Sequence, residues 1–409
     1  MKILHINTFD SGGAANSAIR LHKGLLELGM DSKMLFLNRS DAIIPFSAYY
    51  LTKAQNLLMK GLYKCKLYPT IAKRTEKIIN KKKISGEIFS FAWSDFDITT
   101  HPFYLEADII NLHWVAGFLD YKSFFRKNKK PVVWTLHDQY AFTGTCHYSG
   151  SCHKFESNCI DCPLVKSNKV AQSLQYKIKA LTNFNNLVIV SPSKWLHELS
   201  MRSILFKQYK HFHIPYGLDT NIFKPHNYLF AREVFSIPEN KKVFLFVCDD
   251  LNNKRKGFSL LLDALSKVNN DNVLFYAVGY AGKTIPSVLT QGKVKDERLL
   301  ALLYSAADAF ILPSLEDNLP NTMLESLACG TPVIAFPHGG IPDLIEHNEN
   351  GLIAEGSVKG LFNSINRILN NEITFDHKKI SEDIKHNFSL VNQAQKYIGL
   401  YNTILSQTM

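Results

Sequence analysis

The chain has 409 residues, of which 46% are hydrophobic and 20% charged, the balance of a globular protein of two or three domains at ~100–200 residues each. No apolar run approaches the ~18–20 residues of a membrane-spanning helix, and Met1 to Ile6 lacks the apolar core and cleavage site of a signal peptide, so the expectation is a cytoplasmic chain with reduced thiols. The net charge of +11 is uneven: residues 1–200 hold 26 Lys and Arg against 15 Asp and Glu, whereas 201–409 hold 21 of each.

In chain order, residues 2–7 read as a buried strand. A tight loop follows (Phe9 to Ala15) with the pair Gly12-Gly13, then a helix over 17–28 with Ala18, Leu21, Leu25 and Leu28 on one face and Gly29 as its stop. The next strand is 34–37. Strand, helix, strand predicts a parallel sheet, and Gly12-Gly13 lets the backbone approach a ligand. The pair is not the Gly-x-Gly-x-x-Gly of a dinucleotide site, which disfavours an oxidoreductase.

Ten cations (Lys53, Lys60, Lys64, Lys66, Lys73, Arg74, Lys77, Lys81, Lys82, Lys83) then face a single acid, Glu76, with Leu and Ile interleaved. Such a segment reads either as a surface for anionic lipid or substrate or as a solvated helix face. No zinc-finger, RNP or recognition-helix pattern supports nucleic acid.

Strands at 108–112 and 131–136 end in His113 and in His137-Asp138. Ligands collect at the carboxyl ends of parallel strands. A lone histidine is more often structural, so both are second-rank site candidates. Four of the seven cysteines then cluster: Cys146, Cys152, Cys159 and Cys162. Four thiolates can hold zinc tetrahedrally, and clustered cytosolic cysteines favour metal over disulfide. The Cys146–Cys152 spacing is long for a knuckle, so a structural zinc, free thiols and a conditional disulfide stay open.

A strand at 187–190 and a helix opened by Ser191 to Trp195 follow. Gly217-Leu218-Asp219 to Pro225 reads as a crossing between domains. The second half restarts with a strand at 243–247, a loop carrying Lys254 and Arg255, and Lys256-Gly257 opening a helix. Beyond a strand at 273–279 and a helix at 296–305 comes the most informative stretch. An apolar strand, 309–312, ends at Pro313-Ser314. An acidic loop follows (Glu316, Asp317, Asn318, Leu319, Pro320, Asn321), then a helix over 322–329 carrying Glu325, Gly330, and a strand at 332–336. Helix amino ends favour phosphate, and carboxylates beside them suit sugar hydroxyls. Gly339-Gly340 and a short strand at 350–353 complete the domain. Residues 390–405 show helical spacing.

The stretch from Leu315 to Val333 resembles the signature of retaining nucleotide-sugar glycosyltransferases of family 4. The resemblance implies an α/β GT-B fold, two Rossmann-like domains facing a central cleft. It implies an acceptor-binding domain over 1–216 with a Cys-rich insert at 146–163, a donor-binding domain over 217–388, and a last helix, 389–409, returning to the first domain. A similar insert occurs in a bacterial polysaccharide subgroup of these enzymes. The family's two carboxylates fall on Asp317, with Glu316 as the adjacent alternative, and on Glu325. Asn318-Leu319-Pro320 replaces the usual Gly-Phe-Gly.

The roles implied are donor-sugar contact for Asp317 or Glu316 and ribose contact for Glu325. Lys256 and Arg255 would hold the diphosphate, helped by the 318–322 loop (Asn318, Leu319, Pro320, Asn321, Thr322). Gly12 and Gly13 would face the donor, and His113 and His137 the acceptor or the donor sugar. No metal is implied for transfer itself. The implied partners are a nucleotide-sugar donor and a glycan or polyprenyl-diphosphate-linked acceptor, with an anionic membrane surface at the inner face of the plasma membrane. The alternatives are a GT-B sugar-nucleotide epimerase, which would turn over without an acceptor, and a non-enzymatic basic membrane-surface protein, which would not bind a nucleotide.

Overall fold

The computed structural model describes residues 1–39, 43–52, 54–55, 57–58, 61, 87–269, 271–282 and 285–407. The cations of the basic segment between 53 and 83 lie outside them. The chain divides into two compact units, Met1–Pro215 with Gln393–Met409, and Tyr216–Asn392. The division falls beside the Gly217 turn. Among the described residues no helix is long and apolar enough to cross a membrane.

The first unit is built on a parallel sheet of seven strands: β1 (Lys2–Asn7), β2 (Asp31–Phe36), β3 (Ser47–Tyr49), β4 (Ile109–Leu112), β5 (Val132–Thr135), β6 (Leu187–Ser191) and β7 (Lys210–His213). Their order is β3-β2-β1-β4-β5-β6-β7. The central strands are buried along nearly their whole length. This is the run expected of a parallel sheet covered on both faces. One face packs Leu4, Ile6, Ile110, Leu112 and Trp134 with the aromatic residues of 118–125. The other meets Leu21 and Leu25 of the helix Gly13–Glu27, and Ala394, Tyr397 and Tyr401 of the last helix, Leu390–Ser406. There Tyr401 Oη accepts from Asn111 Nδ2 at 2.8 Å, and Tyr397 Oη and Thr135 Oγ1 lie 2.8 Å apart.

The second unit repeats the plan with β8 (Lys242–Asp250), β9 (Val273–Tyr280), β10 (Leu289–Gln291), β11 (Ala309–Leu312), β12 (Val333–Ala335) and β13 (Gly351–Ile353), ordered β10-β9-β8-β11-β12-β13 and all parallel. Apolar layers cover both faces. In each unit the first strand pairs with two neighbours that run outward in opposite directions, β2 and β4 around β1, β9 and β11 around β8. Such a switch point opens a crevice at the carboxyl ends of the strands, and the candidate side chains gather at those ends.

Candidate functional site

In the second unit β11 ends at Leu312, and the chain turns through 313–320 before the helix Asn321–Ala328. Pro320 precedes that helix and no side chain caps it, so its first N–H groups face the loop. The loop is pinned against the residues after β8. Leu315 N donates to Arg255 O at 2.8 Å, and the Arg255 guanidinium donates to Glu316 O at 2.7 Å. Two glycines allow this closeness. A Cβ on Gly257, at φ 71°, would sit 1.9 Å from Pro313 O, and one on Gly339, at φ 66°, 1.7 Å from Asp317 O. Neither position tolerates a side chain without displacing the loop.

Asp317 is the hub. Its Oδ2 accepts from Lys256 Nζ at 2.5 Å and from Ser314 Oγ at 3.3 Å, with Arg255 Nη1 at 3.8 Å. Its Oδ1 accepts from Asn318 N at 3.1 Å. Burial alone would raise its carboxyl, but Lys256 and then Arg255 outweigh that and hold it below the usual carboxylate range. Glu316 is only half-buried. Glu325 lies one helical turn into Asn321–Ala328, buried, and its Oε2 accepts from Tyr304 Oη at 3.3 Å. Asn318, Leu319 and Pro320 are buried in the loop, while Asn321 and Thr322 open the helix, half-buried.

In the first unit the carboxyl ends of β1, β4 and β5 meet. Thr8 N donates to Trp114 O, and Trp114 N to Asn7 Oδ1, both at 2.8 Å. Gly12 and Gly13 follow β1 and open the helix Gly13–Glu27, with Gly12 at φ 96°. His113 and His137 are neighbours, Nδ1 to Nε2 at 3.0 Å, and the other nitrogen of His113 is 2.9 Å from His5 Nδ1. Both ring nitrogens of His113 are therefore occupied by other imidazoles.

Asp138 turns the other way. Its Oδ2 accepts from Trp114 Nε1 at 2.7 Å and from His147 Nδ1 at 2.6 Å. Burial raises its carboxyl, and His147 with the Tyr140 and Trp114 N–H groups more than reverses this. His147 is sandwiched between Trp114 and Tyr140. The Cys-rich insert is thus anchored to the strand ends by a buried hydrogen bond between His147 and Asp138.

Cys146, Cys152, Cys159 and Cys162 carry free thiols near one another. Burial pushes the Cys146 thiol up to about 12 and the Cys159 thiol up to about 11. The wholly buried Lys177 lies beside them, bonded to the carbonyls of Tyr140 and Thr143 and stacked over the Tyr140 ring. Among the described residues no group of three or more His, Cys, Asp and Glu is arranged to hold a metal ion.

His5, Trp114, Asp138 and His147 are absent from the sequence-derived candidates. A signal for His5 existed: it sits at a fixed alternation inside β1, but only the register with β4 reveals its partner.

Several known proteins are similar to this chain. Residues 241–371 match the family model for glycosyl transferases group 1. The putative colanic acid biosynthesis glycosyl transferase WcaC of Escherichia coli K12 is 23% identical over 393 residues, covering 88% of each chain. The amylovoran biosynthesis glycosyltransferase AmsK of Erwinia amylovora is 44% identical over a shorter stretch of 62 residues, 13% of this chain and 15% of AmsK. Among solved structures, sucrose-phosphate synthase from Thermosynechococcus elongatus superposes with a TM-score of 0.70 at 18% identity over 100% of both chains. Anabaena HepE in complex with UDP-glucose gives 0.66 at 16% identity, over 98% of this chain and 100% of that one.

Proposed function

We propose that this chain is a glycosyltransferase of the GT-B fold, related to family 4, that moves a sugar, with retention of anomeric configuration, from a nucleoside-diphosphate sugar to a hydroxyl of a glycan or polyprenyl-diphosphate-linked acceptor in cell-surface polysaccharide synthesis. WcaC and AmsK, named for colanic acid and amylovoran synthesis, and HepE, bound to UDP-glucose, support that class of acceptor pathway and donor.

The observation that carries the reading is the cation pair fixed at the mouth of β11. Lys256 is held 2.5 Å from Asp317, and Arg255 is tied to the Glu316 carbonyl at 2.7 Å. As the glycosidic bond breaks, negative charge grows on the departing diphosphate. Cations already oriented in a partly desolvated corner stabilise that charge without reorganising. Both Asp317 oxygens are engaged in holding the corner together. Asp317 therefore orients the cations, and we assign the donor-sugar contact to Glu316. Glu325 accepts the two ribose hydroxyls, steadied by Tyr304. The N–H groups opening Asn321–Ala328 add donors for the diphosphate oxygens. In the first unit Gly12, Gly13 and His137 are the groups assigned to substrate. This chemistry calls on no metal.

A thermal-shift panel of UDP, GDP, ADP and their sugars, on the wild type and Glu325→Ala, tests the assignment. A ligand bound only by the folded state at one hundred times its Kd stabilises it by about 2.7 kcal/mol. One nucleotide should raise Tm clearly, and Glu325→Ala should remove most of the rise. An unchanged Tm with every nucleotide would overturn the donor assignment.

A further inference from the structure

An aromatic stack runs from the core of the first unit to its surface. Tyr140 is innermost, its hydroxyl donating to Phe91 O at 2.6 Å. The His147 ring lies on it, centroids 5.1 Å apart and 12° from parallel, and the Trp114 indole lies on His147 at 5.1 Å and 24°. Phe9 ends the series, 5.3 Å from Trp114 and tilted by 42°. Exposure rises along it: Tyr140 is 2% exposed and His147 4%, Trp114 is half-buried, and Phe9 is 43% exposed. The stack therefore ends in a phenyl ring open to solvent just past the carboxyl end of β1, where the ligands of a parallel sheet collect.

A single exposed aromatic residue is ordinary. Phe9 differs in how firmly it is held. Asn7 Nδ2 donates to the Phe9 carbonyl at 2.6 Å, and Asn7 Oδ1 accepts from Trp114 N at 2.8 Å. On one side of it, Thr8 donates from N to Trp114 O and from Oγ1 to Ala116 O, and Thr8 O accepts from Asn38 N. On the other, Asp10 Oδ2 accepts from Tyr49 Oη at 2.8 Å. The backing indole is fixed as well, with Nε1 donating to Asp138 Oδ2 at 2.7 Å. A ligand that stacks on Phe9 therefore meets a platform already ordered, and preorganisation of this kind lowers the cost of binding.

The surroundings select the ligand. The chain that follows Phe9 is polar: Ser11 and Asn16 are exposed, and the helix Gly13–Glu27 starts at Gly12 without a side-chain cap. An acyl or isoprenoid chain would bury little apolar area on one ring with such neighbours. A pyranose supplies both halves of the match. The C–H groups on one face of its ring are electron-poor against the negative face of a phenyl ring, and the hydroxyls at its rim need hydrogen-bonding partners. We propose that Phe9, backed by Trp114, is a stacking platform for a pyranose ring of the acceptor. That the sugar belongs to an acceptor rests on the glycosyltransferase reading given above; that Phe9 stacks a sugar does not.

The test is saturation-transfer NMR on the full-length protein with the methyl glycosides of glucose, galactose, mannose and N-acetylglucosamine, and with UMP as the nucleobase control. At least one glycoside should be saturated most strongly at the C–H protons of one ring face. Phe9→Leu keeps an apolar contact with Trp114 but has no aromatic face, and should raise the Kd of that glycoside about two- to tenfold, the scale of one aromatic contact. Phe9→Tyr should keep the wild-type Kd and the same pattern of protons. Equal binding by Phe9→Leu and wild type overturns the proposal, as does a wild type that saturates none of the glycosides. A loss in Phe9→Leu confined to UMP overturns it too, since the ring would then serve a nucleobase. If no nucleotide moves Tm but glycoside binding still depends on Phe9, the donor reading falls and the sugar platform stands.

Discussion

Lys256 and Asp317 show how a residue's role changes once its partner is known. Read separately, one is a phosphate-binding cation and the other a sugar-binding acid. At 2.5 Å they are a partly buried ion pair, and the acid sets the position of the cation. Lys256→Ala removes a donor aimed at the leaving group and should cost about 10²–10³ in kcat, the usual loss for one such donor. It should also leave Asp317 buried with only Arg255 nearby, so the variant should melt lower even without ligand. A kcat within threefold of wild type, measured by release of the nucleoside diphosphate, would remove Lys256 from the charge-stabilising role. Neither consequence is legible at Lys256 itself, because the partner is 61 residues away in the chain.

At the scale of elements, the β1, β4 and β5 ends carry three buried neutral imidazoles. Burial takes His137 down to about 4 and holds His5 and His113 well below 6.5. Between pH 6.5 and 4 the unfolded chain binds protons at these sites and the folded chain does not. Stability is therefore intact above about 6.5 and drains away as pH falls, by about 1.4 kcal/mol per pH unit for each such proton. Chemical denaturation at pH 7, 6 and 5 should show a falling midpoint, and His5→Phe should flatten the fall. An equal slope in the variant would mean that His5 is protonated in the native protein. The expected strand at 2–7 is observed over the same residues, and most other strands agree to within a few positions. Their apolar, β-branched runs are local signals. The short helices Pro102–Glu106 and Tyr121–Lys127 gave none. With one or two turns each they show too few apolar repeats to stand out, and packing on the sheet holds them.

At the scale of the whole chain, the last helix completes the core of the first unit. Tyr401 closes its bond to Asn111 across 290 residues, and Tyr397 meets Thr135 across 262. Tyr401→Phe keeps the packing but leaves the Asn111 amide donor unsatisfied in the interior. That should cost about 1–3 kcal/mol, read as a lower urea midpoint with the same slope. No measurable loss would mean that water or a neighbour replaces the hydroxyl. The sequence alone determined what depends on near neighbours: strands with buried runs, glycines at tight turns, a loop of acids and amides ahead of a helix, and the carboxylate spacing of Asp317 and Glu325. Only the tertiary structure decided which of those groups meet. The pairing of Lys256 with Asp317, the file from His5 to His137 and the His147–Asp138 anchor all depend on strand order and register. Those are set by burying both faces of a sheet at once, a condition on the whole chain that no local window of residues contains.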